Sequence, residues 1–169
     1  MAALSTLLTL ADSRLPTGGH VHSGGVEEAV TSRLVIDLGT LEAYLRRRIR
    51  TSGLVTASIA AAVHRGDLTE ADADAETDAR TPAPAARQAS RAQGRGLLRL
   101  AKRVWPDPSW DALGPRPHLA VMAGRVGAVS GLAPDQTALS IVYTTMTNSA
   151  TAAQRLLALD PADVAALTF

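Results

Sequence analysis

The stretch "DQTALSIVYTTMTNSATAAQRLLAL", Asp135 to Leu159, decides how the rest of the chain is read. Pro134 stands just before it, where a helix can start. Nothing inside it breaks a helix, so it predicts one long helix rich in Thr and Ala. Outward from it the same pattern recurs. "HLAVMAGRVGAVSG" predicts a helix before it, and Pro161 opens a last, short one after it. A long basic helix is predicted from Ala85 to about Val104. "WPDPSWDALGPRP", with four prolines and one glycine, cannot continue that helix and reads as a connector.

The first half follows suit. Leu4, Leu7, Leu8, Ala11 and Leu15 recur at helical spacing. Ser23 reads as the cap of a helix reaching about Arg33, with Glu27 and Glu28 in its first turn. Thr40 reads as the cap of a third, with Leu41, Leu45 and Ile49 on one face and Arg46, Arg47, Arg48 and Arg50 around the other. Gly53 is expected to bend the chain into the small-residue segment "LVTASIAAAVHRG", which ends at Gly66. "DLTEADADAETDAR", capped by Thr69, reads as an exposed helix, and "TPAP" punctuates the chain before the basic helix. No strand pattern and no internal repeat is present. The expectation is an all-α, single helical-bundle domain over residues 1–169, with about eight or nine helices.

Composition narrows the function classes. The chain has 169 residues, 46% hydrophobic and 20% charged, with a net charge of +1 and no cysteine. Disulfides, thiolate metal sites and cysteine catalysis are therefore excluded. The near-neutral charge gives no global pull toward nucleic acid or an acidic membrane. The N-terminus lacks a basic region and is broken early by Asp12 and Arg14, so it reads as an amphipathic helix and not a signal peptide. No apolar run is long enough to span a membrane. These features predict a cytoplasmic protein.

The segment that stands apart is "SRLPTGGHVHSGGVEE", Ser13 to Glu28, with four glycines and two histidines between helical segments. It is no phosphate cradle: it has neither the lysine of a P-loop nor the G-x-G-x-x-G spacing, and it follows a helix. His20 and His22 could hold a metal if His64, His118 or a carboxylate supplied a third ligand, nickel or zinc suiting imidazole; both rings could equally hydrogen-bond within a packed loop. Ser23 lies near both histidines, but the chain has no nucleophile elbow.

Other patterns carry less. Asp72, Asp74 and Glu76 lack the glycine and terminal glutamate of a calcium loop and read as a solvated face. Arg87, Arg91, Arg95, Arg99 and Arg103, four apart, form one stripe on the basic helix. With no interleaved aromatics, the stripe suits solvent or an acidic protein partner better than nucleic acid. Ala123, Gly127 and Gly131 share a helix face, which permits close packing within the chain or a dimer contact.

Taken together, three stretches resemble the urease accessory protein F family. "LPTGGHVHSGGVE" is similar to its N-terminal signature, with Leu15, Pro16, Gly18, Ser23, Gly25, Val26 and Glu27 matching. "SRAQGRGLLRL" is similar to its Gln-Gly-Arg-x-Leu-Leu segment. "HLAVMAGRVGAVSGL" followed by "NSATAAQRLLAL" is similar to its His-led helix and its Asn-x-x-x-Ala-Ala-x-Arg-Leu segment. The three occur in family order, and the match looks closest to mycobacterial-type members. His20 and His22 depart from it, standing where many members carry aromatics. The family also usually continues past Phe169, so its C-terminal helix and tail, which help bind accessory protein D, are expected to be missing.

The resemblance implies an all-helical, usually dimeric chaperone and not an enzyme. Such a protein bridges accessory protein D (H in some species) to the GTPase G and helps deliver nickel to apo-urease. No tightly bound cofactor, nucleic acid or membrane is implied; nickel is handled by the complex. The partner-binding face would include Gly18, Gly19, His20, His22, Ser23, Gly25 and Glu27. The competing readings are a helical metal-dependent hydrolase using His20 and His22, and an Arg-rich nucleic-acid binder.

Overall fold

The computed structural model describes residues 2–12, 14–106 and 109–169, apart from the side chains of residues 2, 3, 20 and 112. Nine α-helices lie within them, in the order α1 (Ala2–Ala11), α2 (Val26–Thr31), α3 (Leu38–Arg48), α4 (Leu54–Arg65), α5 (Glu70–Ala79), α6 (Pro84–Val104), α7 (Leu119–Val129), α8 (Pro134–Leu157) and α9 (Pro161–Ala166). No described residue is in a strand, so the expected all-α class is what forms. Pro84, Pro134 and Pro161 each open a helix, where their fixed φ suits the first turn and their missing N–H is not needed.

Three local expectations need correction. Gly53 does not bend the chain. It sits in right-handed helical geometry at the end of a π-helical turn, Ile49–Gly53, which joins α3 and α4 into one continuous rod. Thr51 and Ser52 turn their hydroxyls back onto the carbonyls of Arg47 and Arg48 there, at 2.9 and 3.4 Å, and such back-bonding loosens the ordinary ladder. Thr40 is not the cap of α3. Asp37 is: its carboxylate accepts the Thr40 N–H at 2.9 Å, while the Thr40 hydroxyl accepts the Asp37 N–H at 3.0 Å. This reciprocal pair places the helix start earlier than the hydroxyl alone suggested. Nor does Ser23 cap α2, which begins after Gly25 and ends at Thr31, with Arg33 at φ 59° reversing the chain. Thr69, in contrast, caps α5 as expected, accepting the Asp72 N–H at 3.1 Å.

α7 and α8 run through the interior, and the other helices pack around them. Val26, Val35, Leu41 and Leu45 join Ala150, Ala153 and Val164 in one cluster that ties α2, α3, α8 and α9 together. Leu97, Leu98, Trp110, Met122 and Val126 make a second between α6, the connector and α7. Each large side chain so buried contributes about 1.5–3 kcal/mol. α4 and α7 approach closely because both are rich in small residues: Ala60 is fully buried, and a Cβ on Gly124 would sit 2.6 Å from the Ala60 carbonyl oxygen. The small face predicted on this helix is therefore used inside the chain at Ala123 and Gly127, both buried. Gly131 lies past the end of α7, at φ 74°.

α8 ends on Ala158, held at φ 52° where a glycine normally closes a helix. The Leu159 N–H still reaches the Gln154 carbonyl at 3.1 Å, so the motif forms despite the Cβ. Ala158 is exposed. Ala158→Gly should therefore raise stability by about 0.5–1 kcal/mol, seen as a higher urea midpoint at unchanged slope.

Candidate functional site

The glycine-rich loop leaves α1 and enters α2 through a 3₁₀ turn at Gly19–Val21. It is not a loose segment. Two carbonyls near its end are gripped from distant helices. The Tyr44 hydroxyl and the Arg48 guanidinium, one turn apart on α3, both donate to the Gly24 carbonyl, at 2.9 and 2.6 Å. Ser149 on α8 donates to the Ser23 carbonyl at 3.1 Å. Burial pushes the Tyr44 pKa up, against the opposing charge of Arg48, so the hydroxyl stays a donor throughout the neutral range.

Glycine at position 24 is required by this grip. Its φ is 68°, and a Cβ there would meet the Arg48 Cζ at 2.5 Å. Val26, with no exposure, then pins the loop to the core. On the outer side the loop leaves Val21 68% exposed, along with Gly25 and Glu27. The Glu27 carboxylate sits in the first turn of α2, 3.5 Å from the Ser23 hydroxyl. Thr17 and Gly19 line a cavity of about 70 Å³ on the inner side, shared with Gln93 and Asn148.

The expected partner-facing residues thus divide. Gly25 and Glu27 are exposed, whereas Gly18, Gly19, His22 and Ser23 are half-buried; the side chain of His20 lies outside the described residues. His22 belongs to no group of three metal-ligand side chains among the described residues. The two other histidines considered as a third ligand are engaged elsewhere. His64 Nδ1 lies 2.8 Å from the Thr137 hydroxyl, and burial lowers its pKa. His118 is fully buried and forms part of a second constellation.

That constellation was not apparent in the sequence. His118, the residue before α7, places Nε2 2.9 Å from Asp78 and Nδ1 3.0 Å from the Ser90 hydroxyl. The Ser90 oxygen also accepts the Leu119 N–H at 3.2 Å. The Asp78 carboxylate can only accept, so Nε2–H is the donor in that pair. Asp74 accepts the His118 N–H at 3.1 Å, and Arg91 closes the network, reaching Asp74 and Asp78 at 2.8 and 2.7 Å.

Asp74, Asp78 and His118 bring three metal-ligand atoms together, but Arg91 is already paired with both carboxylates. The order Ser–His–Asp resembles a hydrolytic triad, yet His118 has no exposure through which a substrate could meet it. The arrangement ties α5, α6 and α7 to one another. The acidic run is thus not wholly a solvated face. Nor is the arginine stripe uniform: Arg87 and Arg91 are turned toward α5, whereas Arg95, Arg99 and Arg103 are exposed.

Comparison with known proteins sets this geometry in a family. The UreF family model matches residues 35–169. The urease accessory protein UreF of Mycolicibacterium vanbaalenii is 76% identical over 172 residues, covering 100% of this chain and 80% of that protein. The proteins of the same name from Mycobacterium sp. strain JLS and Mycobacterium tuberculosis H37Rv are 78% and 73% identical over 169 residues, again covering 100% of this chain and 80% of theirs. The family model begins after the glycine-rich loop, while these full-length relatives extend across it. The chain belongs to the UreF family of urease accessory proteins.

Proposed function

We propose that this chain is a urease maturation chaperone and not an enzyme, acting as a homodimer that bridges accessory protein D (H in some species) and the GTPase G. Nickel is cargo of the assembled complex on its way to apo-urease, not a resident ion of this chain. The observation that carries the reading is the glycine-rich loop. Its carbonyls are held from α3 and α8, so its outer surface is preformed, with Glu27 and Val21 presented to a partner. A preformed loop loses little conformational entropy on binding, which suits recognition of another protein. Membership in a family of urease accessory proteins supports urease as the client.

The test is Glu27→Lys in cells co-expressing urease and its other accessory proteins. Glu27 is exposed, and its first-turn position is worth only about 0.3–1 kcal/mol. The thermal midpoint should move by a few degrees at most. Co-purification with the GTPase and urease activation should both fall. Full activation and undiminished GTPase capture by this variant would remove Glu27 from the interface.

A further inference from the structure

The arginine stripe of α6 is used along half of its length. In that half, arginines four residues apart, Arg87 and Arg91, face carboxylates four residues apart on α5. Arg91 holds Asp74 and Asp78 at 2.8 and 2.7 Å, and Arg87 Nε stands 3.8 Å from Asp78. Equal spacing on two helices brings each guanidinium opposite a carboxylate. α6 continues with the same spacing through Arg95 and Arg99, but α5 does not accompany it. Both arginines are exposed, and no described acidic side chain lies within salt-bridge distance of either.

A groove of about 430 Å³ runs beside them. Arg95, Leu98, Arg99 and Lys102 form its α6 side, and Gly114 and Pro115 form the other. Its floor includes Leu98, only 6% exposed. Among the described residues, the carboxylate at its rim is Asp111, 3.0 Å from the Lys102 ammonium. We propose that this half of α6 is a docking surface for an acidic helix of a partner protein, one carrying carboxylates at four-residue spacing that pair with Arg95 and Arg99.

Two observations favour a protein helix over nucleic acid. Among the described residues, no aromatic side chain lines the groove for base stacking. The whole chain has a net charge of only +1, so it lacks the broad cationic field of a phosphate-backbone binder. The α5–α6 pairing also shows what the stripe selects within this molecule: two carboxylates in helical register. This surface is distinct from the glycine-rich loop, and its test does not depend on urease or the GTPase.

The experiment titrates the full chain, by fluorescence anisotropy, against a labelled Ala-based helical peptide with glutamates at i, i+4 and i+8. A control peptide of the same composition places its glutamates two residues apart, scattering them around the helix. A random-sequence DNA duplex is the third probe. The aligned peptide should bind about tenfold more tightly than the control, and more tightly than DNA. Arg95→Glu/Arg99→Glu should abolish the preference, and Arg95→Ala/Arg99→Ala should weaken it, both at an unchanged thermal midpoint. Equal binding of the two peptides, tighter binding of DNA, absence of binding, or an unaffected double variant would each overturn the proposal.

Discussion

Gly94→Ala should be among the most damaging single substitutions in this chain, although it adds one methyl group to a helix interior. On an exposed helix the change would gain about 1 kcal/mol of propensity. Here α6 crosses the start of α7 at Gly94, which is buried. A Cβ would collide with the Pro117 carbonyl oxygen and lie 2.8 Å from the His118 carbonyl carbon. Both obstacles are backbone and neither can rotate away. Separating the helices would also strain the His118–Asp78–Ser90 network. The net cost should be about 3 kcal/mol or more, a drop in thermal midpoint of roughly 6–12 °C for a domain of this size. Gly66→Ala is the control. Gly66 is exposed at φ 78° with no atom near a new Cβ, so that change should cost only about 1–2 kcal/mol of backbone strain.

His118→Ala should be of similar size for a different reason. It removes a fully buried ring together with its bonds to Asp78 and Ser90. The cavity and the orphaned partners together should cost about 2–5 kcal/mol. A pH signature separates this network from simple packing. The hydrogen bond from His118, assisted by Arg91, lowers the Asp78 pKa. A carboxyl whose folded pKa is depressed contributes its stability above its unfolded value, about 3.9. That contribution is lost as pH falls through the folded value. Asp78→Asn should therefore lower the urea midpoint at neutral pH and flatten the decline below about pH 4. An acid limb as steep as in the unsubstituted chain would mean that Asp78 does not carry the pH dependence.

How much of this was legible in the sequence depends on how far apart the cooperating residues lie. The long helices α6 and α8 were, because Pro84 and Pro134 mark their starts and their apolar spacing is local. The glycine-rich loop was visible as a motif. Its supports were not: Ser149 reaches Ser23 across 126 positions, and Arg48 sits in an arginine row that reads as solvent-facing. The acidic helix misled for a related reason. A charge-rich amphipath defaults to water, and only the packing of α5 against α4 and α7 brings Asp74 and Asp78 within reach of Arg91 and His118. The misplaced cap of α3 was a smaller matter. Both Asp37 and Thr40 are cap-forming residues, and which one leads is settled by the reciprocal bonds that they form.

The π-helical turn at Ile49–Gly53 has a consequence for how this molecule can vary. One extra residue in a helix acts as a phase offset of about 100° between the two ends of the rod. On the α3 side, that phase points Tyr44 and Arg48 at the Gly24 carbonyl; on the α4 side, it points Ala57 and Ala60 at α7. Deleting any one residue of the turn would give a better-bonded ordinary helix and put the two ends out of step, so that only one could keep its contacts. The length of this short segment is thus constrained more tightly than its residue identities, as the tooth count of a gear matters more than its metal.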